Sequence, residues 1–221
     1  MDQLRRVLVG TPALNGYVHA WYSDSTFDSI KLGLANGVNI IPSILLEESI
    51  LPMARNCLLQ TAYLHDVESI VFIDSDQRWV PEALLDVVNS KYDVVGLPYV
   101  KKTDEPHQYN LKVTDLSSLV PDSDGYCRTD AIGTGFLKIS KKAVTALWES
   151  HPDVTFRGKT LKAICEYGVT ADGDFIGEDI TLCNKLRALG YDIMLNTNYT
   201  VSHLGTKQWD GDFREFLKTL H

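Results

Sequence analysis

The sequence predicts an α/β fold with a Rossmann-like, mostly parallel central sheet, helices on both faces and a mixed C-terminal half. Three observations carry that prediction. Apolar strand-like runs alternate with helical stretches through about the first 100 residues, the pattern of a parallel sheet with crossover helices. Ile70-Val71-Phe72-Ile73 is apolar at every position, as in a strand buried on both faces. That run ends in Asp74-Ser75-Asp76, and ligands of open α/β sheets bind outside the carboxyl ends of their strands.

The elements follow in order. Residues 6–10 read as the first strand, ending at Thr11-Pro12. Asp24 or Ser25 is the expected cap of a helix over 26–36, with Gly37 as its stop. A second strand spans 38–45, and a second helix runs over 52–65 with Pro52 in its first turn. Residues 68–73 form the third strand, Pro81 opens a helix to 88, and 93–97 form the fourth strand. The alternation then breaks. Residues 101–129 are polar and irregular, and 131–139 read as one strand containing Gly133 and Gly135. Ser140 caps a helix to 149, and 150–176 are again irregular. A helix over 177–189 stops at Gly190, strands cover 192–195 and 199–203, and a last amphipathic helix covers 213–220. The expectation is one domain over 1–221: a nucleotide-binding half over 1–100, and an acceptor-binding half with the C-terminal tail over 101–221.

The composition, 44% hydrophobic and 23% charged over 221 residues, is that of an ordinary globular chain able to bury a large core. A net charge of −8 argues against bulk electrostatic binding to nucleic acid or anionic membrane. Cys57, Cys127, Cys165 and Cys183 include no Cys-x-x-Cys pair, so a structural zinc site is not expected. Reduced thiols and a cytoplasmic protein are expected instead. Met1-Asp2-Gln3-Leu4-Arg5-Arg6 leads directly into a strand-like run, so neither a signal peptide nor membrane insertion is expected. The oligomeric state is left open.

Residues i and i+2 of a strand point to one side, so Asp74 and Asp76 can converge on one cation, and an oxygen-rich site suits Mg2+ or Mn2+. The spacing recurs at Asp122/Asp124, Asp172/Asp174 and Asp210/Asp212, but those pairs lie in polar or Gly-containing stretches and read as solvated turns. Asp179 opens the 177–189 helix, in step with Cys183 and Leu186 on one face. It reads either as an acidic helix start favoured by the helix dipole or as an inward-facing general base. Glu178 lies about a quarter-turn away. His203 ends a strand and reads as a structural residue or a ligand; Lys207 and Trp209 beyond it are suited to a diphosphate and to a sugar or base. Gly133 and Gly135 imply a bulge or a close approach of a ligand or another backbone.

Together these segments resemble a glycosyltransferase of the GT-A fold. Val9-Gly10-Thr11-Pro12-Ala13 resembles the first strand and loop, and Pro52-Met53-Ala54-Arg55-Asn56 the Ala-Arg-Asn helix start. Asp74-Ser75-Asp76 resembles the Asp-x-Asp motif, Gly177-Glu178-Asp179 the x-Glu-Asp helix, and His203-Leu204-Gly205 the C-terminal histidine. The resemblance implies a catalytic role for Asp179 with Glu178, and a metal site of Asp74, Asp76 and His203 for Mn2+ or Mg2+, with Asp74 on the metal or on the ribose and sugar of the donor. It implies that Thr11, Pro12, Ala13, Arg55, Asn56, Ser75, Gly135, Phe136, Lys207 and Trp209 line the donor, a nucleoside-diphosphate sugar, UDP first. Asp179 would be the base if the enzyme inverts. His203 to Trp209 also resembles the ending of some retaining enzymes, so the stereochemistry stays open.

The stretch from Val95 to Asp104 resembles small phage- or virus-encoded members, which implies a host-cytoplasm location and an acceptor such as a 5-hydroxymethylpyrimidine in DNA. A viral or cell-surface glycan or glycoprotein is the alternative acceptor. Lys101, Lys102, Lys138, Lys141 and Lys142 read as a solvated basic surface or as phosphate contacts. A nucleotidyltransferase would need a Gly-rich basic loop where Thr11-Pro12-Ala13-Leu14-Asn15 stands. A phosphatase using an Asp nucleophile would carry its Asp pair on the first strand. A non-catalytic nucleotide-sugar-binding module is the alternative outside enzymes; it would bind the donor without turnover.

Overall fold

The computed structural model describes residues 4–103, 105 and 108–220; Met1, Asp2, Gln3 and Asp104, which belong to two stretches read above, lie outside them. The first half contains β1 Arg5–Ala13, α1 Ala20–Ala35, β2 Val38–Leu46, α2 Leu51–Leu64, β3 Ser69–Ile73, β4 Gln77–Arg78, α3 Pro81–Asn89 and β5 Val94–Gly96. The second half adds β6 Leu111–Lys112, β7 Tyr126–Thr129, β8 Ala131–Ile132, β9 Phe136–Ser140 and α4 Lys141–Ser150. Two short hairpins follow, β10 Asp153–Phe156 with β11 Lys159–Lys162, and β12 Gly168–Val169 with β13 Phe175–Ile176. The chain continues through α5 Glu178–Ala188, β14 Ile193–Asn196, β15 Ser202–Leu204, β16 Gln208–Trp209 and α6 Phe213–Lys218.

Seven strands form the central sheet in the order β2-β1-β3-β9-β5-β14-β7. Five run one way; β9 is antiparallel to β3 and β5, and β7 is antiparallel to β14. The alternation along β3 shows why its whole run is apolar. Ile70 and Phe72 join one core cluster with Leu58, Leu147 and Leu186 from α2, α4 and α5. Val71 and Ile73 join the other, with Tyr22, Leu84 and Val87 from α1 and α3. Burying an aliphatic side chain contributes roughly 1.5–3 kcal/mol, so a strand buried on both faces gains from every residue. Pro42 is tolerated because β2 is an edge strand, where a missing N–H costs no ladder bond.

Four expectations change. Helix α1 starts at Ala20, capped by His19, whose Nδ1 accepts from the Trp21 N–H. Ser25 is no cap, because its hydroxyl donates to the Trp79 carbonyl (2.8 Å) inside the core. The strand expected over 131–139 splits into β8 and β9 around Gly133 and Gly135. A Cβ at Gly133 would lie 2.1 Å from the Tyr99 hydroxyl and one at Gly135 2.7 Å from it, so the close approach is made by a side chain. Residues 150–176 carry the two hairpins. The strand expected over 199–203 is β15, displaced to Ser202–Leu204 because its partners are β4 and β16.

Candidate active site

The carboxyl ends of β1, β3 and β5 face the segments that carry the acidic motifs. Arg55, in the first turns of α2, is 1% exposed. Its Nη2 donates to Asp74 Oδ1 (3.0 Å) and its Nε to Glu178 Oε1 (3.3 Å). One buried guanidinium thus joins the two acidic motifs across the sheet. Burial opposes its charge, but the carboxylates of Asp74 and Glu178 more than offset this and hold its pKa above the ordinary value. Asp74 Oδ2 looks over Gly135, where a Cβ would stand 3.0 Å from that oxygen.

Asp76 has different partners. In the three-stranded sheet β16-β15-β4, His203 stands opposite Gln77, and Leu204 N donates to the Asp76 carbonyl (2.8 Å). This register puts His203 Nε2 3.6 Å from Asp76 Oδ2. His203 Nδ1 lies 3.0 Å from the Val100 carbonyl. A carbonyl only accepts, so Nδ1 donates to Val100, and Nε2 is the ring nitrogen that faces Asp76. Lys102 Nζ sits 2.5 Å from the same Asp76 oxygen. Burial works against the Asp76 carboxylate, but the bonds from His203 and Lys102 outweigh it and keep its pKa below the usual range.

A carboxylate oxygen and an imidazole nitrogen brought together in this way suit a divalent ion such as Mn2+. Among the described residues no group of three or more His, Cys, Asp or Glu is arranged to hold a metal. Asp76 and His203 converge, whereas Asp74 is engaged by Arg55. A two-ligand protein site is nonetheless a fit for an ion that takes its remaining ligands from phosphate and water.

Glu178 and Asp179 divide their tasks. Glu178 is 8% exposed and spent on Arg55. Asp179 is half-buried; its Oδ1 accepts from the Ile180 N–H (2.8 Å). It lines a small cavity of about 90 Å3 with Lys101, Asn110 and Gly133. Tyr99, which the sequence did not single out, connects this cavity to Asp74. Its hydroxyl accepts from Asn110 Nδ2 (2.6 Å) and from Gly135 N (3.1 Å). Burial, and then the Asp74 charge, push the Tyr99 phenol pKa up, so it is held neutral. The one sequence signal for Tyr99 is an aromatic residue at a strand exit whose ring fills the space left by two glycines.

The other expected donor residues separate into near and buried. Thr11 is fully buried, with its hydroxyl 2.6 Å from Tyr22 Oη; Pro12 is half-buried and Ala13 buried. Asn56 is buried and pairs with the Cys165 backbone through both amide atoms. The Ser75 carbonyl accepts from His19 N. Phe136 lies in the core, its ring edge-on to Trp79. Trp209 stands opposite His203 in β16, with the Lys207 ammonium over its ring.

The five lysines do not form one surface. Lys138 is buried, donating to Ser90 and Tyr92, and burial lowers its pKa to about 8. Lys141 pairs with Asp66 and Lys142 with Asp93. Because β9 is antiparallel, Ser140 meets Ser69 at the start of β3, so Lys141 and Lys142 lie at the opposite end of the sheet from Asp74. The three other Asp-x-Asp spacings behave as turns or caps: Asp122 accepts from Asp124 N and Tyr126 N, Asp172 and Asp174 turn between β12 and β13, and Asp212 caps α6.

This sheet order, with the acidic pairs at its carboxyl edge, defines a GT-A fold. No protein-family model matches the chain, and no curated protein matches it. Among solved structures it is similar to A197 from STIV, at 16% identity and a TM-score of 0.54, over 91% of this chain and 86% of that one. It is also similar to GalNAc-T7, solved with UDP, GalNAc and Mn2+, at 11% identity and a TM-score of 0.53, over 93% of this chain and 45% of that one. At these identities the shared property is the fold. Among the described residues no helix is long and apolar enough to cross a membrane.

Proposed function

We propose that this chain is a glycosyltransferase, moving a sugar from a nucleoside-diphosphate sugar, UDP-linked first, to an acceptor hydroxyl. The observation that carries the reading is the convergence of Asp76 Oδ2 and His203 Nε2 at the carboxyl edge of a GT-A sheet. GalNAc-T7, which shares that fold, was solved with UDP, GalNAc and Mn2+. Asp76 and His203 would hold Mn2+ or Mg2+, which supplies Lewis-acid stabilisation of the leaving diphosphate. Asp74, oriented by Arg55, accepts from hydroxyls of the donor. Glu178 positions Arg55. Asp179, at its cavity, takes the proton of the acceptor hydroxyl if the reaction inverts. Tyr99 keeps the backbone between Gly133 and Gly135 within reach of both.

A glycan or glycoprotein acceptor has more support than DNA. A DNA backbone needs several cations on the site face. Of the five candidate lysines, Lys138 is buried, Lys141 and Lys142 pair at the far end of the sheet, and Lys102 is paired to Asp76. The test is a screen of nucleotide sugars with Mn2+, each offered glycan acceptors and hydroxymethylpyrimidine DNA. At least one donor is expected to release its nucleoside diphosphate slowly without acceptor and faster with one. Asp76→Asn is expected to remove both reactions, and undiminished transfer by that variant would overturn the metal assignment.

A further inference from the structure

We propose that Lys102 is a tethered counter-cation: its ammonium holds Asp76 until a divalent ion takes that oxygen, and then turns to the diphosphate. This deepens the metal-dependent reading above and rests on it. Lys102 Nζ and His203 Nε2 address one atom, Asp76 Oδ2, at 2.5 and 3.6 Å. The ammonium therefore stands where a cation bound by Asp76 and His203 would bring its charge. Two cations cannot share one carboxylate oxygen at contact distance without strong repulsion, so one must leave.

The backbone identifies which one is able to move. Val100 bridges to Tyr109, Lys101 N donates to the Gln108 carbonyl (2.7 Å), and the Val100 carbonyl accepts from His203. The chain on the N-terminal side of Lys102 is thus tied to the ligand histidine, and the side chain is the free part. Its ammonium is a point charge on a flexible four-carbon stem, and the side chains of Lys102 and Asp76 are both 36% exposed. An arginine would be pinned by a planar fork; a lysine can trade one anion for another. The result is a site whose affinity for the metal alone is held down, and whose displaced cation adds to the affinity for an anionic diphosphate.

The test is Mn2+ binding by the full chain, read from the paramagnetic resonance signal of the free ion. Lys102→Gln is expected to bind Mn2+ alone more tightly than wild type, on the order of tenfold for sites coupled in this way. Lys102→Arg, which keeps the charge and holds Asp76 with a planar fork, is expected to bind Mn2+ no more tightly than wild type. The gain is expected to vanish in the Lys102→Gln, Asp76→Asn double variant. At saturating Mn2+, Lys102→Gln is expected to bind UDP severalfold more weakly. Equal Mn2+ affinity in wild type and Lys102→Gln overturns the proposal while leaving the metal reading intact. A gain that persists without Asp76 also overturns it, and unchanged UDP affinity overturns the transfer to the diphosphate. Absence of Mn2+ binding by either protein overturns the metal reading and the proposal with it.

Discussion

Arg55 is the residue on which the two acidic motifs meet, and its burial sets the cost of disturbing it. A buried ion pair adds little net stability, but removing one partner strands the other and costs about 3–5 kcal/mol. Arg55→Met leaves Glu178 buried beside an apolar side chain, so a loss of that size is expected in urea unfolding. Asp179 is the contrast. It is half-buried, and among the described residues its hydrogen bond is to the first turn of its own helix. Asp179→Asn is therefore expected to change stability by less than about 0.5 kcal/mol, while abolishing transfer and sparing donor binding if the reaction inverts. Glu178→Gln should do the reverse in kind: a measurable loss of stability, with residual transfer. A pair of variants in which Glu178→Gln is stable and inactive, and Asp179→Asn is unstable and active, would exchange the two roles.

Element by element, α2 holds more than its position in the sheet suggests. Asn56 donates to the Cys165 carbonyl (3.0 Å) and accepts from the Cys165 N–H (2.7 Å). A side chain here copies one rung of a strand ladder and fixes the segment that leads into α5. Each buried backbone group left unpaired costs about 1–3 kcal/mol, so Asn56→Ala, which strands two of them, is expected to lose about 2–6 kcal/mol. The Cys165 amide should exchange with solvent far faster in that variant; unchanged protection would mean that the segment is held by other contacts. Neighbouring residues Arg55 and Asn56 thus anchor one end of α5 together.

The same elements show what a sequence can and cannot display. Ile70 to Ile73 announced a central strand because burial on both faces demands four apolar residues in a row. Pro52 and Pro81 announced helix starts because proline costs nothing in a first turn. Ser25 misled because the chemistry of a cap is also that of a buried hydroxyl, and its partner Trp79 is 54 residues away. The hairpins of 150–176 were not visible, since strands of two to four residues carry no period. His203 was visible as a candidate, yet its meeting with Asp76 depends on β15 pairing with β4, a register no local pattern encodes. Tyr99 escaped because its role exists only where two glycines from another strand connection make room for it.

At the scale of the whole molecule, the sheet order interleaves strands of the two halves. The first 100 residues supply β1, β2, β3 and β5, but β5 touches none of the other three. Its neighbours are β9 and β14, both from the second half. A chain ending near residue 100 would leave β5 unpaired on both edges and β3 open on one. It would also strip the Leu58, Ile70 and Phe72 side of the core of α4 and α5. The site is divided in the same way, since Asp76 and Arg55 come from one half and His203 and Glu178 from the other. We therefore expect the full chain to unfold in urea as a single transition, with tryptophan fluorescence and far-ultraviolet dichroism coincident. Residues 1–100 alone are expected to show no cooperative transition, because an unfilled sheet centre cannot offset the conformational entropy of ordering the chain. A cooperative melt of that fragment would show that the nucleotide-binding half is a domain in its own right. The sheet order argues against this: the strand inserted between β3 and β5 is the one that follows Tyr99's two glycines, so the centre of the sheet and the floor of the site are built by the same crossing of the chain.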